Sequence, residues 1–113
     1  VDIRSECVLV DVKFNNNIPA DLVAIVEDSL EECKINVIKK DHHIYDNGGM
    51  TSIYLLSASH LAIHTWPEAN YVSLDIYTCS GEGSAVEVSN SIIKSFNGKI
   101  DKIKIKKVFR GEV

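Results

Sequence analysis

Val8, Val10, Val12 and Phe14 alternate with Leu9, Asp11 and Lys13, and this period of two predicts a strand. Asn15 to Asn17 form a turn cluster, and Pro19 suits the first turn of a helix, where its missing N–H has no partner to lose. Leu22, Ile25, Val26, Leu30 and Cys33 follow at helical spacing, with Asp21 and the acidic stretch from Glu27 to Glu32 on the other face. A second strand is predicted over Ile35 to Tyr45, and Asp46, Asn47, Gly48 and Gly49 then signal a turn. Ile53 to Leu56 reads as a short buried strand, continued in extended form over Leu61 to His64 until Trp66-Pro67 breaks it. Tyr71 to Thr78 alternates again, with Val72, Leu74 and Ile76 on one face.

Ser80 to Gly83 is expected to be a loop. Ser84-Ala85-Val86-Glu87 then has the spacing of a capping box. Val88, Ile92 and Phe96 extend a helical stripe that Ala85 begins, and Gly98 stands where a helix C-cap glycine belongs. Ile100 to Phe109 reads as a final strand. Two helices with one apolar stripe each pack best on one face of a mostly antiparallel sheet. The expected architecture is therefore an α+β two-layer sandwich forming a single domain over residues 1–113. No repeat, linker or low-complexity segment interrupts it.

Composition narrows the function classes. The 113 residues carry a net charge of −4 with a pI near 5.5, which speaks against nucleic acid as a partner. The lysines of Lys99 to Lys107 alternate with isoleucines and read as the solvated face of one strand rather than a basic patch. Cys7, Cys33 and Cys79 are odd in number, widely spaced and without a CxxC pair, so neither a disulfide framework nor a structural zinc site is expected. That usage fits a reducing compartment, and with no signal-peptide pattern or apolar run of membrane-spanning length the expected setting is the cytoplasm.

Chemistry-bearing residues concentrate between Ser57 and Cys79: Ser59, His60, His64, Trp66, Glu68, Asp75 and Cys79. On a strand, His60 and His64 share a face. Taken alone they read as partly buried, hydrogen-bonded histidines. A metal site with His42 and His43 lacks a carboxylate or cysteine at a recognised spacing, so no metal is expected. Ser59 alone reads as structural, Cys79 as a small hydrophobe, and Trp66 as core. No GxSxG, P-loop or GxGxxG is present.

The string itself carries more. SASHLAIHTWPE (residues 57–68) followed by YVSLDIYTCS (residues 71–80) closely resembles the S-adenosylmethionine decarboxylase family, in its short bacterial and archaeal form. The resemblance extends over nearly the whole chain in length and element order and is sharpest from Thr51 to Cys79. It implies a proenzyme. A serine matching Ser59 attacks the preceding carbonyl, an ester forms by N-to-O acyl shift, and elimination cleaves the chain between Ala58 and Ser59. The second fragment then begins with a pyruvoyl group, the cofactor, whose carbonyl forms a Schiff base with the substrate amine and acts as electron sink for decarboxylation.

By the same resemblance His64 is the processing base, and imidazole suits that role near neutral pH. Thr51 stands where a serine usually supports processing, and it keeps the hydroxyl. Cys79 is the acid that reprotonates the substrate carbon. Tyr45 matches an aromatic residue that stacks on the adenine, and Glu68 matches the acid that holds the ribose hydroxyls. The family's sites draw on both subunits, which implies a homodimer of cleaved protomers.

Two stretches depart from the family pattern. Ala58 replaces the usual Glu before the serine, and Asn47-Gly48-Gly49-Met50 replaces the usual turn before Thr51. Three readings stand. The first is an S-adenosylmethionine decarboxylase supplying the aminopropyl donor for spermidine. The second is the same chemistry on another amino acid, such as arginine or ornithine. The third is an unprocessed, non-catalytic homologue that binds or regulates a partner.

Overall fold

The structure, a computed structural model, describes residues 3–79 and 84–111. Its elements are β1 (Ser5–Phe14), α1 (Leu22–Glu32), β2 (Val37–Ile44), β3 (Met50–Leu56), β4 (Ser59–Trp66), a 3-10 turn (Pro67–Ala69), β5 (Tyr71–Thr78), α2 (Ser84–Ser95) and β6 (Ile100–Arg110). The strands form one antiparallel sheet in the order β2-β3-β4-β5-β1-β6. Both helices lie on the same face. The architecture expected from the periodicities is the one observed.

The alternation in β1 does what period two demands. Val8, Val10, Val12 and Phe14 are buried beneath the helices, and Val72, Leu74 and Ile76 of β5 lie beside them. Leu22, Val26 and Leu30 of α1 and Ala85, Val88, Ile92 and Phe96 at α2 close the core from above. Phe14 meets Phe96 edge to face with centroids 4.9 Å apart. Gly98 at φ +77 reverses the chain after α2, as its position in the sequence suggests.

Several local expectations are corrected. Pro19 is not in the first helical turn: α1 begins at Leu22, whose N–H donates to the Pro19 carbonyl at 3.1 Å. Pro19 is buried just ahead of the helix and Ile18 packs against the core, so this segment anchors the approach to the helix rather than its first turn. The second strand is shorter than read, Val37–Ile44, because the Tyr45 N–H and carbonyl already bond within the Tyr45–Gly49 turn. Residues 50–66 form a hairpin of two strands rather than one extended run, and the chain reverses at Ser57-Ala58. Ile53 and Leu55 consequently point to the sheet face without helices and are 46% and 50% exposed, whereas Tyr54 and Leu56 are buried. Ser84 is the first residue of α2, not the residue before it, so the capping-box register slips. The loop expected at Ser80 to Gly83 lies outside the described residues.

One polar hub ties α1 to the sheet. Glu27 Oε1 receives Lys40 Nζ at 2.9 Å, and Glu27 Oε2 accepts the Tyr54 hydroxyl at 2.8 Å. The Lys40 bond above all, aided by the Tyr54 bond, holds the Glu27 carboxyl below its ordinary range. A depressed carboxyl favours the native state above its unfolded pKa and loses that contribution as pH falls through the folded value. Glu27→Gln should therefore flatten the acid limb of the stability profile below about pH 4.3, as read from urea midpoints between neutral and acid pH. An acid limb as steep as that of the native sequence would contradict it.

Candidate active site

Strand β4 carries two of the candidate residues, Ser59 at its start and His64 near its end. At one end the tight turn after β2 positions Tyr45. Asn47 Oδ1 accepts the Gly49 N–H at 2.9 Å, and the Tyr45 N–H donates to the Gly49 carbonyl at 2.8 Å. Gly49 packs closely here: a Cβ would lie 3.0 Å from the Thr65 carbonyl and would require a small shift of that strand. Pairing of β3 with β4 sets Thr51 opposite His64. The hydroxyl and imidazole then form a chain, with Tyr45 Oη 3.1 Å from Thr51 Oγ1 and Thr51 Oγ1 3.2 Å from His64 Nδ1.

A cleft of about 540 Å³ opens there, lined by Tyr45, Asn47, Gly49, Thr51, His64 and Trp66 among others. Trp66, read from the sequence as core, is 40% exposed in the cleft wall and stacks on Tyr71 at 4.9 Å. Tyr71 in turn donates to Asp11 at 2.6 Å, a bond that pushes its pKa up to about 12 and fixes the ring beneath Trp66. Glu68 sits in the exposed 3-10 turn just past Trp66, outside the cleft lining. Trp66 and Asn47 are the residues that sequence reasoning missed. The turn dipeptides mark Asn47, but nothing in the one-dimensional pattern distinguishes a tryptophan on an open sheet face from one in a core.

Ser59 and Cys79 lie at the other end. Ser59 follows the hairpin tip directly and pairs with Thr78, and Cys79 is the next residue, exposed. Ser59 shares the helix-facing side of β4 with Leu61 and Ile63, and its Oγ is buried without a hydrogen-bond partner. A buried hydroxyl left unpaired is unusual and unfavourable. His60 and His64 share the opposite, helix-free face, as their spacing suggests, and His60 stacks on Tyr77 at 5.2 Å.

Within one chain, then, the structure joins Tyr45, Thr51 and His64, and separately places Ser59 beside Cys79. It does not bring Ser59 to His64. Five strand positions separate them, about 17 Å at roughly 3.3 Å per residue, and they face opposite sides of the sheet. Among the described residues no cluster of three or more His, Cys, Asp or Glu side chains is arranged to hold a metal ion, and no helix is long and apolar enough to cross a membrane.

Comparison with known proteins places this layout in a class. The family model for S-adenosylmethionine decarboxylase matches residues 10–111. The chain belongs to that family. An S-adenosylmethionine decarboxylase proenzyme of Sulfurihydrogenibium sp. is 33% identical over 79 residues, covering 70% of this chain and 59% of that protein. A proenzyme of the same name from Picrophilus torridus is 39% identical over 70 residues, 62% of this chain and 54% of that one. An arginine decarboxylase proenzyme of Caldivirga maquilingensis is 44% identical over 54 residues, 48% of this chain and 40% of that one. The matched stretches thus span less than two thirds of these relatives' length. The crystal structure of the adenosylmethionine decarboxylase from Aquifex aeolicus superposes with a TM-score of 0.84 at 24% identity, covering all of this chain and 95% of that one, and so shares the fold.

Proposed function

We propose that this chain is made as a proenzyme, cleaves itself between Ala58 and Ser59, and then decarboxylates S-adenosylmethionine to the aminopropyl donor for spermidine. One observation carries the proposal. The Ala58–Ser59 bond lies where the β3–β4 hairpin turns, and the hydroxyl beside it is buried with no competing hydrogen bond. A serine free of other partners is ready to attack the carbonyl of the residue before it.

A pyruvoyl group at position 59 supplies the electron sink that ordinary side chains lack. The remaining roles fall to this chain's own residues. Tyr45 and Trp66 offer flat faces for adenine and for a sulfonium cation. Glu68 is the acid for the ribose hydroxyls, Thr51 holds the His64 imidazole, His64 takes the α-proton during processing, and Cys79 returns a proton to the substrate carbon. The three cysteines are free, which suits a reducing cytoplasm.

The separation of Ser59 from His64 supports a homodimer. If two chains stack their helix-free sheet faces about a two-fold axis across the strands, the Ser59–Cys79 end of each lies over the His64 cleft of the other. The exposed Ile53, Leu55 and Trp66 give that face an apolar centre. Leu55→Asp is expected to weaken the dimer by about 3 kcal/mol, on the order of a hundredfold in Kd, and to abolish turnover together with it. Sedimentation equilibrium reads the first and carbon dioxide release the second. A full-strength dimer in this variant contradicts the arrangement.

Mass spectrometry of the purified protein tests the whole reading: two fragments are expected, the second with a pyruvoyl end. A chain that stays intact under all conditions leaves only a non-catalytic binding or regulatory role. The arginine decarboxylase relative favours a second reading, the same chemistry on arginine, with ornithine the further alternative. Carbon dioxide release from each of the three substrates decides among them.

A further inference from the structure

Trp66 is the only tryptophan of the chain and forms part of the cleft wall. It is the last residue of β4, directly before Pro67, so the strand does not continue beyond it to hold the indole in place. The register supplies that support from the side. Trp66 pairs with Tyr71 on β5, Ser73 of β5 pairs with Asp11 on β1, and Asp11 pairs with Lys104 on β6. Paired residues share a face of the sheet, and so do residues two apart on one strand. Trp66, Tyr71, Asp11 and Lys104 therefore stand together on the helix-free face. The indole lies over the Tyr71 ring with centroids 4.9 Å and planes 29° apart. The Tyr71 hydroxyl donates to Asp11 Oδ1 at 2.6 Å, the length of a charge-assisted bond. That bond above all pushes the Tyr71 pKa up to about 12, so the phenol stays a donor at neutral pH. Lys104 Nζ is 3.7 Å from Asp11 Oδ2 and largely exposed, and it adds little. Asp11 and Tyr71 do not themselves line the cleft.

We infer that Asp11 is a positioning residue for substrate binding: through the Tyr71 ring it holds the Trp66 indole as a preset stacking wall for the flat base of the substrate. The inference rests on the proposed function, in which Trp66 receives that base, and deepens it. A stacking wall adds most to affinity when its plane is set before the ligand arrives. An indole free to turn about its side-chain torsions has to be ordered by the ligand, and that ordering weakens binding. Tyr71 covers one face of the indole and leaves the other for a ligand. A phenol ring held only at its Cβ tilts with its own torsions, and the bond to Asp11 fixes its far end. Phenylalanine at position 71 would stack equally well but lack that anchor. The plain structural role for this pair is to tie β1 to β5. Those strands are already joined by backbone pairing from Glu6–Thr78 to Lys13–Tyr71, so the side-chain bond is not needed to join them.

The probe is 5′-methylthioadenosine, which carries adenine and ribose but has no amine to react and no carboxyl to lose. Titrated into the purified chain, it should change the fluorescence of Trp66, the sole tryptophan. Asp11→Ala and Tyr71→Phe are each expected to raise its Kd about tenfold, the scale of one hydrogen bond to a charged group. The KM for S-adenosylmethionine should rise by a similar factor with kcat little changed, the mark of lost binding rather than lost chemistry. Near-UV circular dichroism should show the Trp66–Tyr71 signal weakened in both variants. Because both break the same bond, the double variant should match the weaker single instead of adding to it. Asp11→Asn keeps an acceptor oxygen and should recover most of the affinity. If Asp11→Ala does not fold, Tyr71→Phe, which removes a single oxygen, decides. A native Kd and a native near-UV spectrum in Tyr71→Phe overturn the inference, and so does a native chain whose Trp66 gives no response to the probe. Failure of the proposed function looks different: a native chain that binds the probe at Trp66 yet releases no carbon dioxide loses the decarboxylase reading and keeps this stacking wall.

Discussion

A Ser59→Ala chain is expected to stay whole and to release no carbon dioxide from any amino-acid substrate. The effect should be complete rather than graded, because Ser59 is proposed as the source of the cofactor and not as one contributor among several. Alanine has no oxygen to attack the Ala58 carbonyl, so no ester forms, no chain break follows and no electron sink arises. Removal of a residue that only orients a substrate leaves residual rate. Removal of the cofactor's source leaves none. The fold should survive, since the change deletes a buried hydroxyl that has no partner, and such a deletion is close to neutral or stabilising. Electrophoresis under denaturing conditions and an unchanged Tm together check the claim, and any cleavage at position 59 in this variant sinks it. His64→Ala should stop one step later. The acyl shift can proceed without the imidazole, but the α-proton is not removed, so the ester accumulates and hydroxylamine should cleave it where it leaves the native amide intact.

Phe96→Ala is expected to remove most of the folding free energy. Phe96 is completely buried and closes the core between the end of α2 and the end of β1, edge-on to Phe14. Truncating a buried phenylalanine typically costs about 3–5 kcal/mol in lost transfer energy and cavity. The lost aromatic pair adds about 1 kcal/mol. Against a total near 5–15 kcal/mol for a domain of this kind, that loss leaves a marginal fold. Tm should fall by roughly 15–30 °C. The mechanism assigns the damage to packing, so Phe96→Leu should recover a large part of it. A Phe96→Ala chain with native Tm would show that the α2–β1 contact contributes little. This variant also guards the interpretation of the processing tests. Loss of cleavage with loss of Tm marks a failed fold, whereas loss of cleavage at native Tm marks chemistry.

The elements most legible in the sequence are those whose burial follows one clean period. Val8 to Phe14 and Tyr71 to Thr78 alternate strictly and became central strands. Leu22 to Leu30 and Ala85 to Phe96 repeat at helical spacing and became the two helices. The hairpin of residues 50–66 was not legible because Ser57-Ala58 carries neither glycine nor asparagine, the residues that ordinarily announce a tight reversal. Ile53 and Leu55 misled for a related reason. Apolar residues at consecutive positions hide the alternation, and only the pairing reveals which of them are buried. Thr51, His64 and Tyr45 were singled out as candidates through the family string, and the structure joins them in one hydrogen-bonded chain. Glu6 had no signal at all. It reads as one polar residue in a strand, and only the register and the packing show that it is buried beside Thr78.

The sequence by itself determined the two-layer architecture, the helix stripes and the family, because periodicity and a long motif are properties of neighbouring residues. Through the family string it also singled out Ser59 as the proposed centre of the chemistry. Only the tertiary structure decided that Ser59 and His64 stand at opposite ends of one strand, that the Tyr45–Thr51–His64 chain borders a cleft, and that Glu6 shares a buried row with Ser59. The physical reason is the same in each case. Period two assigns a side chain to a face of a sheet, but strand order and register assign its neighbours. Those are set by pairings between residues as far apart in the chain as Glu6 and Thr78.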